Sequence, residues 1–416
     1  MTPLPTLFAF GSNGSGQLGI GHGEDVSIPT RCIFDDDYDG EVPDAFPSGK
    51  SRTQEHSGGD CVRVSRIVAG GNHTLVLLED GRVYAAGWNR DGRCGWLVKT
   101  GPSSSLNSSS EGQTGSMFSF KRVVVIDEGA GTGRTYDLFK SVSATWEGTF
   151  LVPLACTVDK HSFGDDHGDA VFVLGSGAKG ELGLGPDTLR TSAAKRIPNF
   201  PPPGTRIRTI TSGMGHTVVV LTNGDVYGWG GARKGQIGEA VASGKIVWSP
   251  VKIEGLPFPV SDATCGREFT VLCGDSTAGE FVVLGSSLGD KWGVISGVPN
   301  SDRLSGYLKI DASWHGVYVH QKDGSVLAWG RNDRGQLPAE DFSGVKEVAV
   351  GSEHVLALLE DQNVVAFGWG EHGNCGSDTD AQGNVKSVHS QITLPEGSSK
   401  VVGVGAGCAT SWIIAS

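Results

Sequence analysis

Three patterns in this sequence contain residues that could do chemistry. Gly175–Gly180 reads GSGAKG and matches the GxGxxG turn that binds dinucleotides when a helix follows it. Gly285–Gly289 reads GSSLG and matches the GxSxG turn that presents a hydrolase nucleophile. The third pattern is a histidine between small residues and an apolar stretch, where an imidazole could bind a metal or act as a base. Its copies are His73, His216, His315 and His354.

A repeated unit explains all three patterns without chemistry. Both glycine motifs fall on the same turn of the unit, and no amphipathic helix follows either of them. A histidine that recurs at one slot favours a structural hydrogen bond to the backbone where a strand meets a loop. The sequence therefore predicts no catalytic residue, no cofactor, no metal site and no enzymatic activity.

The spacing of glycines defines the unit. A glycine opens each of seven copies, and a second glycine follows eight residues later in all but one copy. Apolar runs rich in β-branched residues flank these turns, and Asn223-Gly224 suits the tight turn of a β-hairpin. The opening glycines are Gly11, Gly87, Gly175, Gly230, Gly285, Gly330 and Gly368.

Copies made of short strands indicate the blades of a propeller, because one small sheet cannot bury its two faces alone. We expect an all-β, seven-bladed β-propeller that occupies residues 1–416 as a single domain. Pairing of Leu7–Phe10 with Trp412–Ala415 would close the ring. Insertions at about 34–60, 100–119 and 158–169 are rich in Gly, Ser and Asp, and are predicted to be solvated loops.

Composition limits the classes of function. A net charge of −12 disfavours nonspecific binding to nucleic acid. The eight cysteines include no CxxC pair, which indicates reduced thiols and a cytoplasmic or also nuclear location, and argues against a zinc site. The apolar runs have the length of strands, so we expect no membrane span.

The copies resemble the regulator-of-chromosome-condensation repeat, which combines a W/F-G-x-N-x-x-G-Q-L-G turn with a G-x-x-H-T strand. Ala9–Gly21 reads AFGSNGSGQLGIG, Ala328–Leu337 reads AWGRNDRGQL, and the four histidine strands supply the second part. The resemblance covers essentially the whole chain and implies a seven-bladed propeller. Family members include the exchange factor of the small GTPase Ran, a plant ultraviolet-B photoreceptor and modules of ubiquitin ligases.

Within the family, Phe8–Cys32, the length of a lone propeller and the acidic character are similar to a small fungal branch. This resemblance implies a non-enzymatic scaffold that forms a heterodimer with the small metal-binding (CSL-type) diphthamide-biosynthesis protein. That pair supports diphthamide synthesis on elongation factor 2 and, through the Elongator complex, modification of wobble uridines in tRNA.

Two other functions from the family compete with this one. A guanine nucleotide exchange factor for Ran is the alternative, although Met1–Thr6 is too short to form the basic tail of the chromatin-bound member. A photoreceptor would need GWRHT strings, which this sequence lacks. We expect neither a nucleic acid nor a membrane as a direct partner of this protein.

The family also implies a partner site. The two residues before the histidine slot lie on one propeller face, and the photoreceptor relatives use them for protein contact. Glu147, Phe269 and Thr410 are assigned to the slot in the copies without histidine. Exposed aromatic residues beside charges are typical of binding hot spots, so we expect tryptophan anchors with charged neighbours. The predicted contacts are Asn72, Trp146, Arg267, Glu268, Trp314 and Glu353.

Overall fold

The structure is a computed structural model that describes residues 3–35, 61–95, 115–127, 134–154, 169–286, 288–395 and 400–416. Nearly all of its regular structure is β-strand. Strands of the first half are β1 (Thr6–Gly11), β2 (Val26–Arg31), β3 (Phe34–Asp35), β4 (Val64–Ala69), β5 (His73–Leu78), β6 (Val83–Trp88), β7 (Ser116–Arg122), β8 (Val125–Asp127), β9 (Arg134–Tyr136), β10 (Phe139–Ala144), β11 (Gly148–Pro153), β12 (Phe172–Ser176), β13 (Arg190–Arg196), β14 (Ile207–Ser212) and β15 (His216–Leu221).

The second half continues the same pattern and adds two helices of four residues each, α1 (Glu239–Ala242) and α2 (Ser301–Leu304). Its strands are β16 (Val226–Gly231), β17 (Ile246–Lys252), β18 (Asp262–Cys265), β19 (Thr270–Cys273), β20 (Phe281–Leu284), β21 (Lys309–Ala312), β22 (Gly316–His320), β23 (Val326–Gly330), β24 (Val345–Val350), β25 (His354–Leu359), β26 (Val364–Trp369), β27 (Asn384–Ile392), β28 (Val401–Ala406) and β29 (Thr410–Ala415).

The strands form seven blades, which confirms the predicted propeller. Blade one contains β2, β1, β29 and β28, so the two ends of the chain complete one sheet. Thr6 pairs with Ala415 and Gly11 pairs with Thr410, which confirms the predicted closure. Blades two to seven follow in chain order and begin at β4, β10, β14, β18, β21 and β24.

The blades differ at their outer edges. Blades one, three, four and seven have four strands, and blade two has five because β3 pairs in parallel with β7. Blades five and six have only three strands, since no fourth strand follows β20 or β23 among the described residues. The apolar core lies between neighbouring blades, where fully buried side chains such as Trp229 and Phe150 meet with ring centroids 5.6 Å apart.

The three insertions lie largely outside the described residues. Their described ends are ordered: Phe34–Asp35 is β3, residues 116–119 are part of β7, and the buried Asp169 carboxylate contacts the Lys140 ammonium at 2.5 Å. No helix in the described ranges is long and apolar enough to cross a membrane.

Strand register corrects the predicted histidine slot in two blades. The slot residue pairs with the opening glycine, as His73 does with Gly87. In blade three, however, Gly148 pairs with Gly175, and in blade six Gly316 pairs with Gly330. The assignments of Glu147 and His315 to the slot were therefore wrong by one residue.

A backbone hydrogen bond fixes this register in every blade. The N–H three residues before the slot donates to the slot carbonyl and closes a tight turn. For example, Thr145 donates to Gly148 at 2.9 Å and Ser313 donates to Gly316 at 2.9 Å. The other five bonds start at Gly70, Gly213, Gly266, Gly351 and Gly407.

The three remaining slot histidines are structural, but their partners differ from the prediction. His73, His216 and His354 are fully buried, and each Nε2 lies 2.9 Å from a hydroxyl of the next blade, not from the backbone. These hydroxyls belong to Thr149, Thr270 and Ser411.

The hydrogen bonds of the partner hydroxyl determine the tautomer of each of these histidines. Thr270 Oγ1 donates its single proton to the Gln236 carbonyl at 2.7 Å, so it must accept from the Nε2–H of His216. Thr149 and Ser411 donate in the same way to other turn carbonyls. Each histidine therefore joins its own blade to the next through a neutral imidazole.

Candidate partner-binding face

Residues two positions before each slot encircle one end of the central channel. With the corrected register they form the set that we call the inner ring: Gly71, Trp146, Met214, Arg267, Trp314, Ser352 and Cys408.

Backbone hydrogen bonds link the inner ring from blade to blade. Gly71 N–H donates to the Trp146 carbonyl at 2.8 Å, and Trp146 N–H donates to Met214 at 3.0 Å. Arg267 donates to Trp314 at 3.1 Å and Trp314 to Ser352 at 2.9 Å. Because these bonds are made by the backbone, they do not depend on the side chains that the ring positions carry.

The two predicted anchors, Trp146 and Trp314, contact each other. Their ring centroids lie 5.8 Å apart with an interplanar angle of 45°. Both side chains are half-buried and line the channel cavity. Gly71 makes room for the pair, since a Cβ there would lie 2.5 Å from Trp146 Cε2. The tryptophans thus form one aromatic surface and are not folded back into the core.

Arg267 completes this surface. Its residue is exposed, and its guanidinium carbon lies 5.5 Å from the ring centroid of Trp314. A cation over an indole face is attracted by the ring quadrupole. Asn72 and Glu268, the predicted polar contacts next to the ring, are exposed as well.

Glu353, the last predicted contact, is occupied inside the chain. It is 4% exposed, and its carboxylate accepts from His315 Nδ1 at 2.7 Å, Arg331 Nη1 at 3.0 Å and Gln336 Nε2 at 2.8 Å. Burial alone would raise the pKa of Glu353, but the hydrogen bonds from His315 and Gln336 and the charge of Arg331 hold that pKa below its usual value. Glu353 therefore orients His315 and Arg331 and does not face the surface.

The sequence analysis did not identify two residues of this face, because it placed the histidine slot one residue too early in blades three and six. Glu147 and His315 stand between the ring and the slot, in the position of Asn72 and Glu268. Glu147 keeps half of its side chain exposed while its Oε1 lies 3.3 Å from Arg93 Nη2. Counting back 14 residues from Gly330, the spacing between His73 and Gly87, would have placed His315 correctly, whereas the 27 residues between Gly148 and Gly175 hide the position of Glu147.

A second layer of stacked cations lies on the glycine turns that follow the third strands. Lys291 Nζ is 4.2 Å and the Arg331 guanidinium carbon 5.0 Å from the ring centroid of Trp292. Arg334 lies 5.4 Å from the ring of Trp369. Lys291 and Trp292 are neighbours in the sequence, whereas the two arginine contacts join residues of different blades, so spacing in the sequence does not predict the arginine contacts.

Below the inner ring, the innermost strands line a cavity of about 470 Å³. Arg66 of blade two reaches across the channel to the Ile210 carbonyl of blade four at 3.2 Å. Lys309 and Asp311 form an ion pair of 2.8 Å in the same wall. Burial raises the pKa of Asp262 and Glu347, which lie in the wall nearby.

The two glycine motifs occupy ordinary repeat turns. Turns and then β13 follow Gly175–Gly180, with no helix in between. Ser287, the nucleophile position of Gly285–Gly289, lies outside the described residues. Within the described ranges, no three His, Cys, Asp or Glu side chains are grouped to hold a metal ion.

Comparisons with known proteins agree with the repeated fold. The family model for the regulator of chromosome condensation (RCC1) repeat matches residues 6–77 and 223–273, and a second model for the same repeat matches residues 64–93, 207–236 and 345–374.

Two relatives match nearly the whole chain. An RCC1 repeat-containing protein of Schizosaccharomyces pombe is 29% identical, with 98% of each chain covered. The secretion-regulating guanine nucleotide exchange factor of Mus musculus is 24% identical over 97% of this chain and 82% of its own.

A solved structure shares the fold. Prp20p from Saccharomyces cerevisiae, solved in a study of its binding to Gsp1p and histones, superposes with a TM-score of 0.67 at 17% identity. The match covers 99% of this chain and 91% of Prp20p.

Proposed function

Because the chain belongs to the regulator-of-chromosome-condensation repeat family, we propose that it is a non-enzymatic interaction protein that binds a partner at the inner ring. One observation carries this proposal: the half-buried Trp146 and Trp314 and the exposed Arg267 form a continuous surface, whereas the other ring positions hold small or neutral residues. Paired aromatics and a stacked arginine are the residue types that dominate binding hot spots.

The rigid frame of the ring supports the same role. Blade-to-blade backbone bonds fix the main chain at Trp146 and Trp314, and the contact between the two indole rings restrains their side chains before any partner arrives. Little side-chain entropy is then lost on association, which favours affinity. Glu268 and Asn72 are exposed beside the tryptophans and supply polar contacts that set the orientation of the partner.

For the partner we propose the small metal-binding (CSL-type) diphthamide-biosynthesis protein. The support is the similarity of Phe8–Cys32 to the fungal alpha-tubulin suppressors, also called killer-toxin-insensitivity proteins. A fungal relative, the RCC1 repeat-containing protein of Schizosaccharomyces pombe, matches over 98% of both chains. The heterodimer would support diphthamide synthesis on elongation factor 2 and Elongator-dependent tRNA modification in the cytoplasm and also the nucleus.

A second candidate is nucleotide exchange on a Ran-type GTPase. It is favoured by two comparisons, the guanine nucleotide exchange factor of mouse and Prp20p with its binding to Gsp1p. In this case the same face would bind the GTPase, so a CSL-type protein bound at the inner ring would compete with it.

Isothermal titration calorimetry and a nucleotide-release assay, both with purified proteins, separate the two candidates. The first proposal expects saturable one-to-one binding of the CSL-type protein and no acceleration of nucleotide release from a Ran-type GTPase. The reverse result supports exchange. Failure of both partners to bind would overturn the proposal that the inner ring serves either of them.

A further inference from the structure

Blade five presents an open sheet edge. Within the described part of the chain, no strand pairs with the outer side of its last strand, β20, and all four residues of β20 are only half-buried. The equivalent strand of blade four, β16, is covered by β17, and four of its six residues are buried. An uncharged edge of sequence FVVL, with no proline or bulge to protect it, is suited to pairing with another strand.

The phase of the ladder shows which backbone groups face outward. Gly274 N–H donates to the Glu280 carbonyl at 2.9 Å, so Glu280 points toward β19. Because successive residues of a strand alternate, Phe281 and Val283 direct their N–H and C=O groups away from β19. Neither residue has a backbone hydrogen bond on that side within the described part of the chain.

The segment after β20 does not take the place of a fourth strand. It packs Val294 and Val298 against the apolar cluster that also contains Phe281 and Val283. It makes no backbone hydrogen bond to β20 among the described residues. The edge therefore combines unpaired polar groups with an apolar side-chain surface.

Blade four shows what kind of strand fits such an edge. There β17 covers β16, with Val251 opposite Gly228 and Ile253 N–H donating to the Val226 carbonyl at 2.8 Å. At its end Lys252 Nζ pairs with Asp225 Oδ1 at 2.9 Å. Counted from the opening glycines, Glu280 of blade five stands at the position of Asp225.

We propose that the edge of β20 binds an extended segment of a partner protein by adding it as the fourth strand of blade five. The segment has apolar residues at alternate positions and a Lys or Arg next to Glu280, as β17 has beside Asp225. A basic partner also suits a chain whose net charge is −12. This surface is separate from the inner ring, so the inference does not depend on the function proposed above.

Blade six has the same open edge but lacks the acidic residue. Its last strand, β23, keeps two of its five residues buried, and the position equivalent to Glu280 is Ser325. For this reason the proposal concerns blade five.

A peptide that copies the chain's own fourth strand tests the proposal. The probe is a fluorescent peptide of residues 245–254, KIVWSPVKIE, titrated into the full-length protein and followed by anisotropy. Methylation of the Ile253 amide removes the hydrogen donor aimed at the Phe281 carbonyl and should weaken binding about tenfold or more. Methylation of the Lys252 amide, which faces away, is the matched control and should leave binding unchanged.

Two variants of the protein test the same edge. Val283→Pro removes an outward N–H that donates to no described group, so the fold should tolerate the substitution. Peptide binding should weaken about tenfold or more, as with the methylated Ile253 peptide. Glu280→Gln should weaken binding about threefold, since a surface ion pair contributes little. Hydrogen exchange adds a readout on the free protein: Phe281 and Val283 amides should exchange quickly, and the Gly228 amide slowly.

Three results would overturn the proposal. One is equal affinity for the two methylated peptides. The second is undiminished binding to folded Val283→Pro. The third is slow exchange at Phe281 and Val283 in the protein alone, because it would mean that the edge is already covered.

Discussion

The indole rings of Trp146 and Trp314 are in contact although their blades, three and six, are not neighbours in the ring. The contact crosses the channel, whereas the hydrogen bonds of the inner ring run only between adjacent blades. An aromatic pair of this kind contributes about 0.5–1.5 kcal/mol beyond its burial. The contact therefore contributes only a small energy to holding blades three and six together. Much of the surface of each indole stays available to a partner.

Partner binding should depend on this pair. Replacing Trp146 or Trp314 with Ala should cost on the order of 2 kcal/mol or more of binding free energy, while the melting temperature stays close to that of the wild type. Calorimetry with the CSL-type protein measures the loss. Trp248→Ala, in the outer strand of blade four, is the control and should bind normally. Full affinity in both inner-ring variants would place the partner elsewhere.

Replacement by alanine should destabilise the fold at Gly213 but not at Gly215, two residues further along the chain. A Cβ at Gly213 would overlap the Gly266 carbonyl and lie 2.7 Å from His216 Cε1, so Gly213→Ala should lower the unfolding free energy by about 2 kcal/mol or more. A Cβ at Gly215 would meet nothing closer than Glu181 Oε1 at 3.9 Å, and Gly215→Ala should be nearly neutral. Chemical denaturation of the two variants provides the comparison, and equal stability would contradict the packing described here.

The buried histidines should make the fold sensitive to mild acid. Burial lowers the pKa of His216 and of His354 to about 4 and that of His73 to about 3. Their unfolded value is about 6.5, so the unfolded chain binds more protons and stability falls as the pH drops from about 6.5 toward 4. Each histidine accounts for at most about 3 kcal/mol of this loss.

Melting temperatures between pH 7 and 4 test this account. His216→Asn should start from a lower melting temperature at pH 7 but show a shallower decline with acid. The exposed His22→Asn serves as the control and should keep the slope of the wild type. A slope that does not change in His216→Asn would show that other groups cause the acid sensitivity.

Closure of the ring should be essential for stability. Removing residues 1–10 takes away most of β1 and exposes the edges of both β29 and β2. We expect aggregation or a large drop in melting temperature, visible by size-exclusion chromatography and thermal melting. Removal of residues 1–2 alone is the control. An unchanged melting temperature in the longer deletion would mean that blade one is stable without its N-terminal strand.

The fold could be predicted because glycine spacing reports backbone geometry. Gly87 and Gly230, for example, have φ of 110° and 100°, which few other residues adopt, so the spacing of such positions survives changes in the strands between them. Leu7–Phe10 and Trp412–Ala415 remained as the only unpartnered apolar runs near the two ends, which made the closure predictable as well.

The candidate site was predicted less completely because residue type is a poor guide to register. The sequence SWHGVYV suggested His315 for the slot, yet a buried hydrogen bond to the next blade requires the position opposite Gly330, which holds Gly316. Burial of Glu353 could not be foreseen either, since it depends on Arg331 and Gln336 from a neighbouring turn. Trp146 and Trp314 were identified in spite of the one-residue shift of the slot, because each lies within two residues before the slot in both the predicted and the observed register.

The pairing of β1 with β29 also has a consequence for biosynthesis. Thr6 must wait for Ala415 before it can complete its sheet. At 5–20 residues per second a ribosome needs about 20–80 s to make the intervening chain. During that time the apolar strand Thr6–Gly11 can pair with β2 on one side only, so its other edge stays open to pairing with other chains until β29 has been made.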